Sequence, residues 1–500
     1  MLATKPILSI RLGITLILCA VLSLSFSTKA SPWISNTEAQ LYYDVVTLAE
    51  WGYIDAATTT FPLPWKGIKA QLNQLDTTQL PSTAAIAAYR LQQFLKYEQS
   101  HPNPTSVGFY VASDQSRFTS FAGQHSEKAQ VNFTQQINWG KWSAQLAVNH
   151  QINADGSSSK NHFDHSFINY QFDDWNLRVG AVDQWWGPAH SSSLILSNNA
   201  RPIPAIALSR SQTVESKNSW LSFLGPWYFS AQLGQLESNR AIPSPKIWLS
   251  RFNFKPIKDL EIGVSWTAMW GGLGQGNGLG DLLDVLTFKP QCVDGAKHCD
   301  DALHTKKGNH LAGFDLKYSF LLFAQPVNIY AQRIGEDAVD YYKVTDQASL
   351  IGFSSYLANS KVYVEFSNTN VACGNEQSTA KNCYYEHDQY QSGYRFHQRA
   401  IGSTFDSDAK MLTLGLNKHF SDGDVMQIVL RRLDLNPDQQ KPSPVVEGLS
   451  EKLFQLSGFY QTTIGVWQLK LGGQIESSTV DNQASKINST LYSELEYRGW

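Results

Sequence analysis

One stretch of the chain fits neither a regular strand nor a regular helix: Gly180-Ala181-Val182-Asp183-Gln184-Trp185-Trp186-Gly187-Pro188, continued by Ser191-Ser192-Ser193-Leu194-Ile195-Leu196-Ser197-Asn198-Asn199-Ala200-Arg201-Pro202-Ile203-Pro204. It begins with the alternation of a strand and then loses it, because Gly-Pro and Pro-x-Pro interrupt a ladder of backbone hydrogen bonds. It is also too rich in leucine, isoleucine and tryptophan for an ordinary solvated loop. We therefore expect a long irregular segment that is packed inside a larger structure, with internal partners for its polar groups.

Segments with period-two hydrophobicity surround this stretch from residue 106 onward. In one hairpin the apolar residues fall on a single face: Val131, Phe133, Ile137 and Trp139, then Trp142, Ala144, Leu146 and Val148. Roughly 18 to 20 such segments of about ten residues, joined alternately by short turns and long polar loops, are typical of a transmembrane antiparallel β-barrel. A soluble β-sandwich is the alternative fold, because it would show the same alternation. Tryptophans near segment ends favour the barrel, since they predict interfacial girdles: Trp139, Trp142, Trp175, Trp220, Trp227, Trp266 and Trp467.

The composition of the 500-residue chain agrees with a mainly β membrane barrel. Aromatic residues make up 12% and charged residues only 17%, below the roughly 25% of soluble proteins. A mean hydropathy of -0.28 argues against a bundle of membrane helices. The net charge of -3 and the lack of a Lys/Arg stripe exclude nucleic acid as a partner.

The first hundred residues follow different patterns. Lys5 and Arg11, an apolar run and Thr28-Lys29-Ala30 predict that residues 1–30 are a secretory signal peptide. Residues 31–104 then show helical periodicity, which predicts a small α-helical bundle ahead of the barrel. We expect Ser82 to cap the third helix of that bundle.

The mature chain keeps four cysteines: Cys292, Cys299, Cys373 and Cys383. An even number in an exported protein favours disulfides. Pairing within each close pair is the simplest of the three possible connectivities. A metal site is the weaker alternative, because neither pair has the CxxC spacing.

Catalytic and metal motifs are missing from the sequence. It contains no GxSxG, HExxH or CxxC pattern. His162-Phe163-Asp164-His165 could chelate a metal, but solvated loop histidines are the expected reading of that string. We therefore expect no enzyme, no cofactor and no metal, while a hydrolase built from side chains brought together in space stays an alternative.

A second unusual string runs from Tyr394 to Asp408. In an extended chain His397 and Arg399 share one face, and Asp406 and Asp408 share another. These four side chains could bind sugar hydroxyls and carboxylates. The favoured interpretation is an internal ion network that ties the strands to the Trp-Trp-Gly-Pro segment, because charges inside a barrel need partners.

The first string allows the same two interpretations. Trp185 and Trp186 could stack on pyranose rings beside Asp183 and Arg201, or they could fill a lumen. We expect occlusion first, with Arg201 paired to Asp183, and sugar contact second. The complete set of candidate polysaccharide-binding residues is Asp183, Trp185, Trp186, Arg201, His397, Arg399, Asp406 and Asp408.

The first string resembles the Wzi-type capsule assembly proteins of the bacterial outer membrane, which show the patterns D-x-W-W-G-P and S-L-I-L-S-N-N-A-R-P-x-P. The second string also resembles this family, which shows a tyrosine, a histidine and an arginine followed by I-G and D-x-D. The resemblance implies an occluded barrel of about 18 strands at 105–500, with the bundle at 31–104 in the periplasm. Segment 182–209, which crosses from the strand at Leu177 to one at Trp220, would fill the lumen.

The resemblance also implies a function. Such a protein would be a lectin that attaches exported capsular or related acidic polysaccharide to the cell surface, and a porin or export conduit is the alternative. The aromatic C-terminus, Trp500, resembles the sorting signal of outer-membrane barrels and implies the barrel assembly machinery as a partner. We expect a monomer surrounded by outer-membrane lipid.

Overall fold

The computed structural model describes residues 31–499, except positions 36–37, 153–160, 217–218, 288–307, 337, 340–342, 345, 376–377, 382, 388, 440–442 and 447–448. The expected signal peptide, the expected Cys292–Cys299 pair and the terminal Trp500 lie outside the described residues. Cys383 is in a disulfide bond. Its pairing with Cys373 stays a prediction, because the Cys373 side chain is also outside the described part of the chain.

Eighteen antiparallel strands form a closed barrel. Each strand pairs with its neighbours in the chain, and the last strand pairs with the first between Thr105 and Gly499. The short segment Asn161–His162 also pairs with β3, ahead of β4. The strands, numbered β1 to β18 in chain order, are Thr105–Ala112, Ala129–Trp139, Trp142–Ile152, Phe167–Phe172, Trp175–Ala181, Pro204–Arg210, Trp227–Gln235, Lys246–Ile257, Leu260–Trp270, Asn309–Leu322, Gln325–Glu336, Gln347–Leu357, Ser360–Asn368, Ala409–His419, Val425–Leu435, Glu451–Ile464, Trp467–Val480 and Lys486–Gly499.

The alternating pattern of the sequence places apolar side chains on the outside of the barrel. Val131, Phe133 and Ile137 of β2 are exposed, while Asn138 on the opposite face is buried. This arrangement confirms the membrane barrel and excludes the soluble sandwich, whose apolar faces would be covered. The expected strand at Trp220 is wrong, because Ser219–Leu224 is a short 3-10 helix that precedes β7.

Three helices form a compact unit at the end of the barrel that carries the short turns: α1 (Ala39–Glu50), α2 (Lys66–Gln74) and α3 (Ser82–Ser100). Lys66 binds Asp174 in the turn between β4 and β5. Ser82 is the first residue of α3 and not its cap, because its hydroxyl donates instead to Asn359 in the turn between β12 and β13. None of the described helices has the length and apolarity needed to cross a membrane.

Buried charges fasten α1 to the inner wall of the barrel. The Glu50 carboxylate accepts hydrogen bonds from Lys317 and Lys361, each at 2.7 Å, and from the Tyr356 hydroxyl at 2.6 Å. Burial alone would raise the pKa of Glu50, but the two ammonium groups outweigh it and hold this pKa well below its usual range. The helical unit therefore closes the short-turn end from within the lumen.

Two long connections from the opposite end also enter the lumen. The first connection runs from residue 182 to Ile203 and ends where strand β6 (Pro204–Arg210) begins. The expected end of this segment at residue 209 is therefore six residues too late. The other spans residues 369–408, between β13 and β14. The remaining short elements are Thr60–Phe61 paired with Trp185–Trp186, helix α4 (Leu279–Leu286), Ala338–Val339 paired with Lys343–Val344, Ala372–Asn375 paired with Ser378–Lys381, and Arg395–Phe396 paired with Arg399–Ala400.

Replacing Glu50 with alanine should detach the helical unit from the barrel wall. The change leaves two buried ammonium groups without a counter-charge, a loss of about 3–5 kcal/mol for a buried pair. Hydrogen exchange of residues 39–50 in the refolded barrel measures the free energy of opening. Protection in the E50A variant equal to that of the parent would contradict this reading.

Asp55 provides a matched control on the same unit. It also binds a wall lysine, with 2.9 Å between its Oδ1 and Lys255 Nζ, but its side chain is 55% exposed. Water reaches the Asp55 carboxylate even though Lys255 is buried, and such solvent screening weakens an ion pair. Asp55→Ala should therefore leave the exchange of residues 39–50 nearly unchanged.

Candidate functional site

The paired tryptophans lie at the junction of the helical unit and the first inserted segment. Trp185 and Trp186 pair with Phe61 and Thr60 in a two-residue antiparallel ladder. The Trp185 indole donates to the Ala189 carbonyl at 2.9 Å. The two residues are only 1% and 0% exposed, so neither ring has a face that is open to a pyranose. Their role is packing.

Side chains of the barrel wall hold the backbone of the first inserted segment. Gln332 of β11 accepts from the Leu194 amide at 2.7 Å and donates to the Trp186 carbonyl at 2.8 Å. Glu365 of β13 accepts from the amides of His190 and Ser191, at 2.6 and 2.9 Å. A buried backbone amide without a hydrogen-bond acceptor costs free energy of folding. The side chains of Gln332 and Glu365 supply acceptors to amides that lie outside any strand ladder.

Tyrosine hydroxyls of the second inserted segment form hydrogen bonds with backbone carbonyls of the first. The Tyr385 hydroxyl donates to the Leu194 carbonyl at 2.6 Å and accepts from the Ser403 amide at 2.8 Å. The Tyr394 hydroxyl donates to the Ile195 carbonyl at 2.8 Å. Leu194, Ile195 and these rings share one buried apolar cluster with inward side chains of the wall. The two inserted segments are therefore one packed plug.

An ion pair stabilises the fold of the second segment. Arg395 binds Asp406 with both nitrogens of its fork, at 2.8 Å from Nε and 2.7 Å from Nη2, and its Nη2 also lies 2.7 Å from Glu386. Asp408 accepts a hydrogen bond from the Asn370 side chain. Burial, the largest cause, raises the pKa of Asp408 to about 6. The favoured interpretation of these aspartates as part of an internal network fits the structure.

Arg399 and His397 differ in their surroundings. Arg399 donates to the backbone carbonyl of Asn199 at 2.7 Å and to the Asn199 side chain at 3.0 Å, so it joins the two inserted segments. His397 is half-buried beside Phe396, with ring centroids 4.4 Å apart. Burial, followed by the charge of Arg201, lowers the pKa of His397.

The expected pairing of Arg201 with Asp183 is wrong. Arg201 forms a two-pronged ion pair with Asp164, at 2.7 Å and 3.0 Å, while Asp183 lies 3.8 Å from His165. His162 is buried and 3.1 Å from Asp164, so it is not the solvated loop histidine that we expected. Within the His162-Phe163-Asp164-His165 string, His162 and Asp164 are buried and Arg201 supplies the counter-charge of Asp164, whereas Phe163 is exposed.

A polar cavity of about 190 Å³ lies between the plug and the wall strands β17 and β18. Asp183, Arg201 and Arg399 from the candidate set reach it, as do Asp164, His165 and Asn198. The other five candidates, Trp185, Trp186, His397, Asp406 and Asp408, are not among its lining residues. The structure thus brings three of the eight candidates to one concave surface.

The opposite wall of this cavity carries charges that sequence reasoning missed. Lys470 lies 3.6 Å from Glu494, and His125 lies 3.5 Å from the same carboxylate. Burial would lower the pKa of His125, but Glu494 and Glu127 outweigh it and raise this pKa above its usual value. These residues are far apart in the chain, and only the closure of β18 on β1 brings them beside the plug.

The lining of the cavity includes buried polar atoms with open hydrogen-bonding sites. Among the described residues, the buried Oδ1 atom of Asn198 has no hydrogen-bond partner. A buried acceptor without a donor is costly, and a bound hydroxyl would satisfy it. No group of three or more His, Cys, Asp or Glu side chains in the described ranges is arranged to hold a metal ion.

The sequence profile of the capsule assembly protein Wzi matches residues 98–491 of this chain. The chain belongs to the Wzi capsule assembly family. The match spans β1 to the first six residues of β18, including both inserted segments. Together with the closed sheet and its apolar outer surface, it identifies the chain as an outer-membrane β-barrel.

One relative and one solved structure illustrate the similarity. An uncharacterized 55.8 kDa protein in the cps region of Klebsiella pneumoniae is 28% identical over 337 residues, which cover 66% of this chain and 63% of that protein's length. The match therefore spans less than two thirds of this relative. The structure of Wzi, an outer membrane protein involved in group 1 capsule assembly in Escherichia coli and described as a carbohydrate-binding β-barrel, superposes with a TM-score of 0.77 at 22% identity, covering 91% of this chain and 97% of that chain.

Substitution of Asp406 or Asp408 by asparagine should separate the roles of these two side chains. Both have positive φ angles, at 64° and 46°, which asparagine tolerates, so the change removes little besides the charge. Asp406→Asn leaves Arg395 without its main counter-charge, and we expect it to loosen the plug by about 2–4 kcal/mol. Single-channel recording in planar bilayers should then detect a conductance that the parent barrel lacks.

Asp408→Asn serves as the control for that experiment. Because burial raises the pKa of Asp408 to about 6 and so disfavours its charged form in the folded barrel, a neutral amide should be tolerated at this position. The protonated form of Asp408 favours the folded barrel. Its contribution to the free energy of unfolding is fully present below the unfolded pKa and is lost as pH rises through about 6. The Asp408→Asn variant should lack this pH dependence of thermal stability. Equal conductance of the Asp406→Asn and Asp408→Asn barrels would contradict the prediction that only Asp406 holds the plug in place.

Proposed function

We propose that this protein binds an exported polysaccharide, capsular or related to capsule, and attaches it to the cell surface. Membership of the Wzi capsule assembly family supports the role, and the similar structure from Escherichia coli is that of a carbohydrate-binding barrel. The proposed role is binding, without turnover of the polymer. The helical unit would face the periplasm, because the short turns of such barrels do.

The polar cavity is the observation that carries the proposal. Its volume of about 190 Å³ is far above the ~15 Å³ that one water requires. Arg201 and Arg399 offer donors for a sugar carboxylate, and Asp183 and Asn198 offer acceptors for hydroxyls. A wall with both kinds of group suits a sugar unit that carries hydroxyls and a negative charge.

A conduit fits the structure less well than a binding protein. The helical unit closes the short-turn end, and the packed inserted segments fill the lumen among the described residues. Export of a polymer would require the inserted backbone that Gln332 and Glu365 bind to leave the centre of the barrel. The plug therefore favours attachment over passage. The fold also implies insertion by the barrel assembly machinery, and we propose that the protein acts as a monomer.

Replacing Asn198 with alanine tests the cavity as the sugar site. Its Oδ1 has no partner within the described protein, so the variant should keep the plug intact while losing one hydrogen bond to a ligand. A loss of about 0.5–1.5 kcal/mol corresponds to roughly two- to tenfold weaker binding. The measurement is binding of polysaccharide purified from the host strain to the detergent-solubilised barrel.

Asn488→Ala is the matched control, because Asn488 is exposed near the long-loop end of β18. It should leave the affinity unchanged. If the polymer binds the parent, and Asn488→Ala weakens binding while Asn198→Ala does not, the binding surface is the outer rim instead of the cavity. If the parent binds no polysaccharide and its deletion releases none from cells, the proposed function is wrong.

A further inference from the structure

The outward face of strand β9 contains a local anomaly. Residues Leu260, Ile262, Val264, Trp266, Ala268 and Trp270 share one register of the strand, which faces away from the lumen. Val264 is 50% exposed, as expected for a side chain that faces lipid. Ala268 and Trp270 are only 0% and 1% exposed, although they continue the same row. Something on the outside of the barrel covers them.

Helix α4 (Leu279–Leu286) is the cover. Its Val285 is buried in one cluster with Ala268 and Trp270, and Leu282 packs against the same cluster. The outward tryptophans Trp248 and Trp266 border this contact. The helix therefore lies along the outer wall of the barrel, where the chain would otherwise present its lipid-facing surface.

The far side of α4 is also apolar. Leu279 and Leu283 are one helical turn apart, so they fall on the same face. They are 74% and 54% exposed, and Leu273 just ahead of the helix is exposed as well. The helix is thus apolar both where it contacts the wall and where it turns away from it. Asp281 bonds the Gly278 amide at 2.8 Å and so belongs to the start of the helix.

The position of α4 places its free face at the outer edge of the membrane. An eleven-residue strand tilted by roughly 40° spans about 25 Å, the height of the apolar band of such barrels. β9 starts from a short turn at Leu260, so Ala268 and Trp270 mark the opposite, outer boundary of that band. Water on one side and acyl chains on the other meet at this height.

We propose that α4 is an interfacial anchor whose exposed leucines insert among the acyl chains of the outer-leaflet lipids. Its apolar face continues the lipid-facing surface of the neighbouring strands, where Val264 of β9 lies opposite Phe314 of β10 and both are exposed. This continuity selects lipid as the occupant over a second copy of the chain. An anchor of this kind fixes the height of the outer rim relative to the membrane surface.

Photolabelling of the unmodified, refolded chain tests the anchor. An apolar aryl diazirine confined to phosphatidylcholine vesicles labels residues that contact acyl chains, and mass spectrometry maps the labelled peptides. Leu279 and Leu283 should be labelled as efficiently as Val264 and Phe314. Gln439, which is exposed in the connection between β15 and β16, should stay unlabelled.

A double variant, Leu279→Ser with Leu283→Ser, supplies the second measurement. It should lose the label on α4 while Val264 and Phe314 keep theirs, and heat-modifiable migration verifies that the barrel has folded. Absence of label on α4 in the parent, with labelling of the two strands, overturns the proposal. Label on α4 that decreases as the protein-to-lipid ratio rises, together with cross-links between chains, assigns the face to a second copy instead and also overturns it.

Discussion

The backbone of an irregular segment cannot be buried unless each of its amides and carbonyls finds a partner, and this constraint shapes the inside of the barrel. The segment between β5 and β6 has no strand ladder beyond its two tryptophans. Gln332 and Glu365 from the wall supply acceptors to its amides, and Tyr385 from the second inserted segment supplies a donor to its carbonyl at Leu194. Loss of any one partner leaves a buried polar group unpaired, which destabilises the plug.

The helical unit and the plug depend on each other through the paired tryptophans. Trp185 packs in the apolar cluster of the helical unit, whereas Trp186 packs in the cluster of the plug. The ladder with Thr60 and Phe61 ties the two clusters together along the lumen. Glu50 and its two lysines then fix this column to the wall at the short-turn end. Occlusion of the barrel is consequently a property of the whole column and not of one loop.

The sequence was sufficient to predict what depends on local periodicity. Alternation in β2 and β3 predicted their outward faces, and the loss of alternation after Val182 predicted an internal irregular segment. The partners of charged residues were not predictable, because they depend on register across distant strands. Arg201 binds Asp164 and not Asp183, and Glu50 meets Lys317 and Lys361 more than 260 residues away. The inward turn of His162 had a signal in its spacing to Asp164 and His165, but a polar run before it suggested solvent.

The segment quoted first therefore serves two purposes with different residues. Its leucines, Leu194 and Leu196, face the apolar cluster that occludes the lumen, while Asn198 and Arg201 a few positions later line the polar cavity. Because Arg399 binds the backbone and side chain of Asn199 between them, the wall of the cavity is as rigid as the plug that supports it. A sugar unit bound there would meet preorganised groups and would lose little affinity to ordering of the site. In the proposed function, the packed tryptophans would contribute to binding by supporting these groups, without touching the sugar.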